Sequence, residues 1–238
     1  MKRLLFAALI SICALPAAYA EDLTTHITPP ANRSIKVAFA LSEHAVVIDF
    51  GGPWDVFGNV MLPGFKDMQE SMPFELYTVG PSRKRIHATG NRHAGMAITP
   101  DYDFQHAPEP DVVVVPAQEG GAALSAWLNK LHAHHKIIVS ICTGAFNLAE
   151  AGLLDGKMAT THYSALDKLA SQYPKIKVMP NVRYVQSDPE IFTSAGLSAG
   201  IDLSLHMVEL YYGRDVAQST ADALQYQGLG WKTPATAN

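Results

Sequence analysis

Two short runs of apolar, mostly β-branched residues constrain the fold more than any other feature of this 238-residue chain. Residues 111–115 end in four consecutive valines, and residues 136–141 lead directly into Cys142. Strands that are apolar on both faces are typical of the centre of a parallel sheet, where helices cover both sides. The sequence therefore predicts an α/β fold built on a doubly wound, mostly parallel sheet with helices on both faces.

Weaker patterns elsewhere alternate between strand and helix in the same way. Further strands are predicted at residues 35–41, 74–79 and 157–161, with short β segments within 80–100 and 175–187. Helices are predicted at residues 121–134, 145–151, 165–172, 198–212 and 216–225. We expect Ser164 to cap the third of these helices. Strands alternating with helices indicate parallel βαβ units within one domain.

A segment at residues 46–50, apolar except for Asp49, ends in a Gly-Gly-Pro break at residues 51–53. We interpret this run as a buried strand with Asp49 near its end. Pro53 fits the first turn of a helix that continues through Trp54 and Phe57.

The N-terminus has the pattern of a secretory signal peptide. Lys2 and Arg3 precede an apolar stretch at residues 4–15, and residues 18–20 read Ala-Tyr-Ala. The stretch is short for a bilayer span, so we predict cleavage after Ala20 rather than a retained anchor. The expected location is periplasmic or secreted.

The remaining chain is predicted to form one domain. We expect a flexible leader at residues 21–34, the domain at residues 35–228 and a tail at residues 229–238. Without residues 1–20 the chain has 16 basic and 22 acidic residues, a net charge of −6. An acidic surface repels phosphate groups, so nucleic acid is not an expected partner. No later segment predicts a membrane span.

Cys142 is the candidate centre of any chemistry. Cys13 would leave with the signal peptide, so the exported chain would hold one thiol. A nucleophile between a strand and a helix is lifted out of the sheet and faces backbone N–H groups. The helix dipole is expected to lower the thiol pKa, and Gly144 supplies the small residue of such an elbow. The alternative is a buried, unreactive cysteine, since free cysteines often pack as small apolar groups.

Asp49 and His162 are the candidate acid–base partners of Cys142. A desolvated carboxyl close to a thiol would have a raised pKa and could share a proton with sulfur. The alternative for Asp49 is a cap of the helix predicted at Pro53. His162 could take a proton from Cys142 or orient a substrate. The run His132, His134 and His135 lacks a defined ligand spacing, so no metal is predicted.

Several motifs in order resemble those of the ThiJ/PfpI superfamily, the DJ-1 group. Residues 140–146 read Ser-Ile-Cys-Thr-Gly-Ala-Phe, residues 151–156 Ala-Gly-Leu-Leu-Asp-Gly and residues 159–163 Ala-Thr-Thr-His-Tyr, with further matches at 49–53, 193–196 and 200–202. The resemblance covers roughly residues 35–225 and implies a flavodoxin-like, class I glutaminase-like fold. It is strongest to the isonitrile hydratase-like branch and to the amidase-like domain of AraC-type regulators.

The resemblance also implies roles for individual residues. Cys142 would be the nucleophile and Asp49 the acid–base group. The substrate or anion pocket would be lined by Ala117, Thr143, Gly144 and His162. No cofactor is implied, and superfamily members are often homodimers.

The sequence departs from its relatives at two places near this site. Thr143 follows the cysteine where the protease and deglycase branches have histidine, which argues against those activities. Ala117 and Gln118 follow Pro116 where relatives usually have two glycines, which leaves the substrate open.

Two classes of function remain at this stage. The first is a cysteine-dependent hydratase or hydrolase for a small-molecule substrate, with isonitrile hydration to an N-substituted formamide as the leading reaction. The second is a ligand-binding or redox-sensing protein without turnover, in which the thiol would be oxidised to sulfenic acid. A detached sensor domain of a transcription factor is disfavoured by the signal peptide pattern.

Overall fold

The computed structural model describes residues 26–89 and 95–233. The predicted signal peptide lies outside the described residues, so export stays a prediction. Within the described part of the chain, no helix combines the length and apolar character that crossing a membrane requires.

The strands of the described residues are β1 (Ile35–Ala40), β2 (Phe74–Gly80), β3 (Ile86–His87), β4 (Ala97–Ile98), β5 (Tyr102–Asp103), β6 (Val112–Val115), β7 (Ile137–Ser140), β8 (Met158–Ala159), β9 (Lys177–Val178), β10 (Tyr184–Gln186) and β11 (Ile191–Ser194). Seven of them form a sheet at the centre of the molecule, in the order β10-β11-β7-β6-β1-β2-β5. The pairs of this sheet are parallel except β10 with β11. Two small sheets, β3-β4 and β8-β9, lie beside it.

Seven helices accompany the sheet in the described residues. They are α1 (Val47–Gly58), α2 (Met68–Ser71), α3 (Ala122–Ala133), α4 (Ala145–Glu150), α5 (Leu166–Gln172), α6 (Ala199–Tyr212) and α7 (Arg214–Ala223). Short 3-10 turns occur at Cys142–Gly144, Tyr163–Ala165 and Gly230–Lys232.

The two faces of the sheet carry separate hydrophobic cores. Val112 and Val114 face the core that includes α1, α6 and α7, whereas Val113 and Val115 face the core that includes α3, α4 and α5. All four valines are fully buried, because successive side chains of a strand point to opposite faces and both faces are covered. This arrangement confirms the predicted flavodoxin-like α/β fold.

The interpretation of residues 46–50 as a strand is wrong, because helix α1 already begins at Val47. The Asp49 N–H donates to the Val46 carbonyl at 3.0 Å and closes the first turn. Pro53 lies inside this helix rather than at its start, so Asp49 caps no helix beginning at Pro53. A five-residue apolar run does not distinguish strand from helix by periodicity.

Gly52, the second glycine of the pair that suggested a turn, instead permits close helix packing. A Cβ at Gly52 would lie 2.9 Å from Cγ1 of Ile201 on α6. Helix α1 therefore approaches α6 more closely than a larger residue would allow.

Ser164 does not act as the predicted cap of α5. The side chain of His162 accepts a hydrogen bond from the Ser164 N–H instead, at the start of the turn Tyr163–Ala165. Helix α5 then begins at Leu166 without a side-chain cap. The turn Tyr163–Ala165 moves the start of α5 to Leu166, and the imidazole of His162 is the acceptor for the Ser164 N–H.

Both ends of the described chain pack against the domain. The Ile27 N–H donates to the Leu210 carbonyl at 2.9 Å. Trp231 is 1% exposed and belongs to the core beside α6. Its carbonyl accepts from the Tyr184 hydroxyl at 3.0 Å. The packed unit therefore includes residue 231, which the sequence placed in a tail.

Replacement of Trp231 by alanine tests this boundary. We expect Trp231→Ala to lower the free energy of unfolding by about 3–5 kcal/mol, because a buried indole leaves a large cavity. Leu229→Ala is the matched control, since Leu229 is 66% exposed, and it should change stability by less than about 0.5 kcal/mol. Urea unfolding measures both variants. If both substitutions change the free energy of unfolding by the same small amount, residues 229–233 do not belong to the packed unit.

Candidate active site

The candidate site lies where the carboxyl ends of neighbouring parallel strands meet. Cys142 follows β7, Ala117 follows β6 and Leu197 follows β11. Asp49, in the first turn of α1, comes from the connection after β1. Ligand sites of open α/β sheets occur at this edge, because loops from several strands converge there.

Cys142 occupies a sharp turn between β7 and the helical segment that follows. Its φ of 58° is in the left-handed region, which is unfavourable for a residue with a side chain. Its N–H donates to the Ala195 carbonyl at 3.2 Å, and its carbonyl accepts from the Thr161 hydroxyl at 2.9 Å. These two hydrogen bonds hold the strained backbone, as a nucleophile elbow requires.

Gly144 makes this elbow possible. A Cβ at this position would lie 2.2 Å from the Val115 carbonyl oxygen and 2.8 Å from that of Pro116. No side chain fits between the two backbones, so the prediction that the elbow needs a small residue here is confirmed.

The Asp49 carboxyl is fully buried beside the Cys142 thiol. Its Oδ2 accepts a hydrogen bond from the Ala117 N–H at 3.2 Å. Its Oδ1 has no hydrogen-bond partner of good geometry in the described residues. Burial raises the pKa of Asp49 to about 6, and the Ala117 N–H, the Cys142 thiol and the Leu197 N–H limit the rise. The expected raised carboxyl pKa is confirmed.

The pKa of the thiol is raised, whereas the sequence predicted a lowered pKa. Burial first, and then the nearby Asp49 charge, raise the pKa of Cys142 to about 11. The Thr143 and Leu197 N–H groups favour the thiolate but do not outweigh burial of a side chain that is only 6% exposed. The expectation failed because desolvation and a neighbouring carboxylate oppose the helix dipole.

Taken together, these pKa values assign one proton to the pair at neutral pH. Between about pH 6 and about pH 11 the thiol is protonated and Asp49 is ionised. Such a pair can move its proton from sulfur to carboxylate when the sulfur forms a new bond. This is the arrangement of a nucleophile with its general base.

Leu197 is the member of the site that sequence reasoning missed. Its backbone N–H faces both the carboxyl of Asp49 and the thiol of Cys142 and favours their charged forms. Its φ of 54° is in the left-handed region, although it is not a glycine. A backbone contribution leaves no signal in residue type, and only the segment Ser-Ala-Gly before Leu197 marks the turn.

The four predicted pocket residues occupy different positions. The Ala117 N–H is directed at Asp49, and its predicted place in the anion pocket stays a prediction. The Thr143 N–H faces the thiol, as expected. Gly144 contributes close packing. His162 packs against Gly196, where a Cβ would lie 2.2 Å from Cδ2 of the imidazole.

His162 makes no hydrogen bond to Cys142 within the described residues. Its Nδ1 lies 2.8 Å from the Ser164 hydroxyl. The imidazole also packs on the ring of Tyr163, which is 79% exposed. His162 therefore lies at the edge of the site, where it can contact a substrate rather than the sulfur.

The histidine run at the end of α3 contacts acidic side chains and forms no cluster of metal ligands within the described residues. His132 and His135 approach Glu190 at 3.3 and 2.8 Å, and His134 approaches Glu109 at 2.9 Å. Across residues 26–89 and 95–233, no group of three or more histidine, cysteine or acidic side chains is placed to hold a metal ion.

Comparison with known proteins relates the chain to one family. The model of the DJ-1/PfpI family matches residues 35–210. Isonitrile hydratase of Pseudomonas putida is 30% identical over 199 residues, which cover 81% of this chain and 79% of the relative. The HTH-type transcriptional regulator CdhR of Pseudomonas aeruginosa is 33% identical over 133 residues, which cover 54% of this chain and 39% of the regulator.

Solved structures share the fold. A ThiJ/PfpI family protein from Pseudomonas syringae superposes with a TM-score of 0.62 at 25% identity, over 95% of this chain and 86% of that one. Drosophila melanogaster DJ-1beta superposes with a TM-score of 0.67 at 19% identity, over 82% of this chain and 100% of that one.

The buried carboxyl predicts a pH-dependent effect of Asp49→Asn on stability. The pKa of Asp49 is raised from 3.8 to about 6, so the folded state binds its proton more tightly than the unfolded state. The resulting destabilisation is absent below about pH 4 and complete above about pH 6. Asp49→Asn should therefore raise the free energy of unfolding by about 2 kcal/mol at about pH 8, with the gain disappearing near pH 4.

Urea unfolding at several pH values measures this effect. Asp67→Asn is the control, because Asp67 is an exposed helix cap and asparagine caps equally well. A gain that does not depend on pH, or a loss at about pH 8, would contradict the assignment.

Proposed function

The chain belongs to the DJ-1/PfpI family, and from this premise we propose that it is a cysteine-dependent hydratase that converts a small isonitrile into an N-substituted formamide. The observation that carries the proposal is the buried pair of Asp49 and Cys142 at a strained strand-to-helix elbow. Similarity to isonitrile hydratase over 81% of the chain supports the choice of substrate.

In the first half of the reaction, sulfur bonds to the terminal carbon of the isonitrile. The Asp49 carboxylate removes the thiol proton as the carbon–sulfur bond forms. The same carboxyl group then gives that proton to the carbon, whose electron pair becomes a carbon–hydrogen bond. The product is a thioimidate on Cys142, and Asp49 is a carboxylate again.

In the second half, water adds to the thioimidate carbon. Asp49 takes one proton from the water and passes it to the imine nitrogen as the carbon–nitrogen double bond opens. The carbon–sulfur bond then breaks as the new hydroxyl becomes the carbonyl of the formamide, and the hydroxyl proton returns to sulfur through Asp49. The net change is addition of one water to one isonitrile, with no oxidant or reductant consumed.

The environment of the pair suits this sequence of proton transfers. The thiol keeps its proton at rest, so sulfur gains nucleophilic charge only when the carboxylate takes that proton. Thr143 and Leu197 present N–H groups to the sulfur and stabilise the charge that develops there. Burial of the pair keeps bulk water away and strengthens these interactions.

A second candidate function is ligand binding without turnover. A thiol with a pKa of about 11 and 6% exposure has little thiolate at neutral pH and therefore resists oxidation. This property favours ligand binding over redox sensing. The relative CdhR is a transcriptional regulator, and this chain spans about two fifths of its length.

Turnover of a simple alkyl isonitrile by the purified protein separates the two functions. Formamide production should fall at least about 100-fold in both Cys142→Ala and Asp49→Asn, because nucleophile and base act in the same step. Asp67→Asn should match the wild type. The value of kcat/KM should rise with pH through about 6, as Asp49 becomes a carboxylate.

Two results would contradict parts of the proposal. One is absence of turnover by folded wild-type protein, which would favour ligand binding. The other is full activity in Asp49→Asn, which would remove the assigned base while leaving the thiol as nucleophile.

A further inference from the structure

Asp202 is a buried carboxylate that the proposed reaction does not use. It lies in the first turn of α6, within the Gly-Ile-Asp motif at residues 200–202, and its side chain is 2% exposed. It accepts hydrogen bonds from Nε of Arg183 at 2.6 Å and from the Tyr226 hydroxyl at 3.0 Å. Nη2 of Arg183 forms an ion pair with the same carboxylate at 2.5 Å. Burying a carboxylate lowers stability unless partners compensate for the lost water, so a carboxylate held by several partners suggests a specific structural role.

Arg183 connects this carboxylate to the loop that carries Leu197. The Arg183 carbonyl accepts from the Ala195 N–H at 2.9 Å. The Nη2 of Arg183 donates to the Ser198 hydroxyl at 3.2 Å. One arginine thus contacts the loop on both sides of Leu197. Ala195 in turn accepts the N–H of Cys142 through its carbonyl.

Leu197 needs such support because its own side chain gives little. Its backbone is in the left-handed region at a φ of 54°, which is unfavourable for a residue with a Cβ. Its side chain is 43% exposed, so packing does not hold it in place. Conformations of this kind persist only where the surroundings determine them.

We propose that Arg183 and Asp202 are positioning residues, which hold residues 195–198 so that the Leu197 N–H stays directed at Cys142 and Asp49. Asp202 fixes the guanidinium, and the guanidinium and the Arg183 carbonyl fix the two ends of the loop. Neither residue contacts the thiol in the described structure. The proposal deepens the proposed function, but it concerns the state of the thiol and does not depend on the substrate.

The C-terminal segment completes the support around Asp202. A Cβ at Gly230 would lie 2.5 Å from Oδ2 of Asp202 and 3.1 Å from Cγ of Arg183. Gly230 therefore lets the segment close over the ion pair. The substitution Gly230→Ala would push the carboxylate away from the guanidinium without removing either charge.

Alkylation of Cys142 by iodoacetamide, followed against pH, tests the proposal without any isonitrile. In Arg183→Gln the Leu197 N–H should lose its fixed direction, and the thiolate should lose a hydrogen-bond donor. Alkylation at about pH 8 should slow by about threefold to tenfold, with the whole profile displaced to higher pH. Arg183→Lys, which keeps the charge but not the forked geometry, should recover part of the rate.

Arg33→Gln is the matched control. Arg33 pairs with Asp111 through both terminal nitrogens, and the two exposures, 47% and 17%, make it a comparable arginine–aspartate pair. It lies at the amino ends of β1 and β6, at the opposite edge of the sheet from Cys142. Its loss should lower stability and leave the alkylation profile unchanged.

The outcomes separate positioning from general destabilisation. A displaced profile in Arg183→Gln and Gly230→Ala, with Arg33→Gln unchanged, supports the proposal. An unchanged profile in folded Arg183→Gln, or an equal displacement in Arg33→Gln, overturns it. If Arg183→Gln does not fold, Arg183→Lys and Gly230→Ala decide on the same criterion. Failure of isonitrile turnover alone would leave this result intact and would reject only the proposed substrate.

Discussion

Burial of one carboxyl group beside one thiol is the constraint on which the rest of the site depends. Two acidic groups in a water-poor space cannot both ionise near neutral pH, because each charge would be poorly solvated and would repel the other. Asp49 and Cys142 therefore hold one proton between them, with the proton on sulfur. Asp49 is thereby left as a buried carboxylate in contact with a protonated thiol.

The sheet supplies the convergence that this pair requires. The parallel strands β1, β6, β7 and β11 end at the same edge, so four chain segments far apart in sequence reach one point. Close approach at that point depends on positions where a Cβ cannot fit, most clearly Gly144 against the Val115 carbonyl. The backbone contributes to the electrostatics of this point, since N–H groups of Thr143 and Leu197 favour the charged form of the sulfur.

Much of this architecture follows from the sequence. The all-apolar runs before Pro116 and Cys142 predict the central strands, and the spacing from Cys142 to Gly144 predicts the elbow. Asp49 was recognised from its position before two glycines, although its segment is a helix rather than a strand. Apolar runs reveal burial, but a run of five residues does not reveal the local period.

What the sequence could not predict depends on three-dimensional surroundings. The thiol pKa reverses direction because desolvation exceeds the helix dipole, and desolvation is a property of the folded site. Leu197 acts through its backbone, and Trp231 is buried by contacts with distant α6.

The protonation state of the pair is tested most directly by the ultraviolet thiolate absorbance of the wild type minus that of Cys142→Ala, titrated from about pH 5 to about pH 11. With the thiol pKa raised to about 11, we expect no thiolate signal near neutral pH and an increase only as pH approaches 11. A thiolate signal already present at neutral pH would place the shared proton on Asp49 and contradict the account.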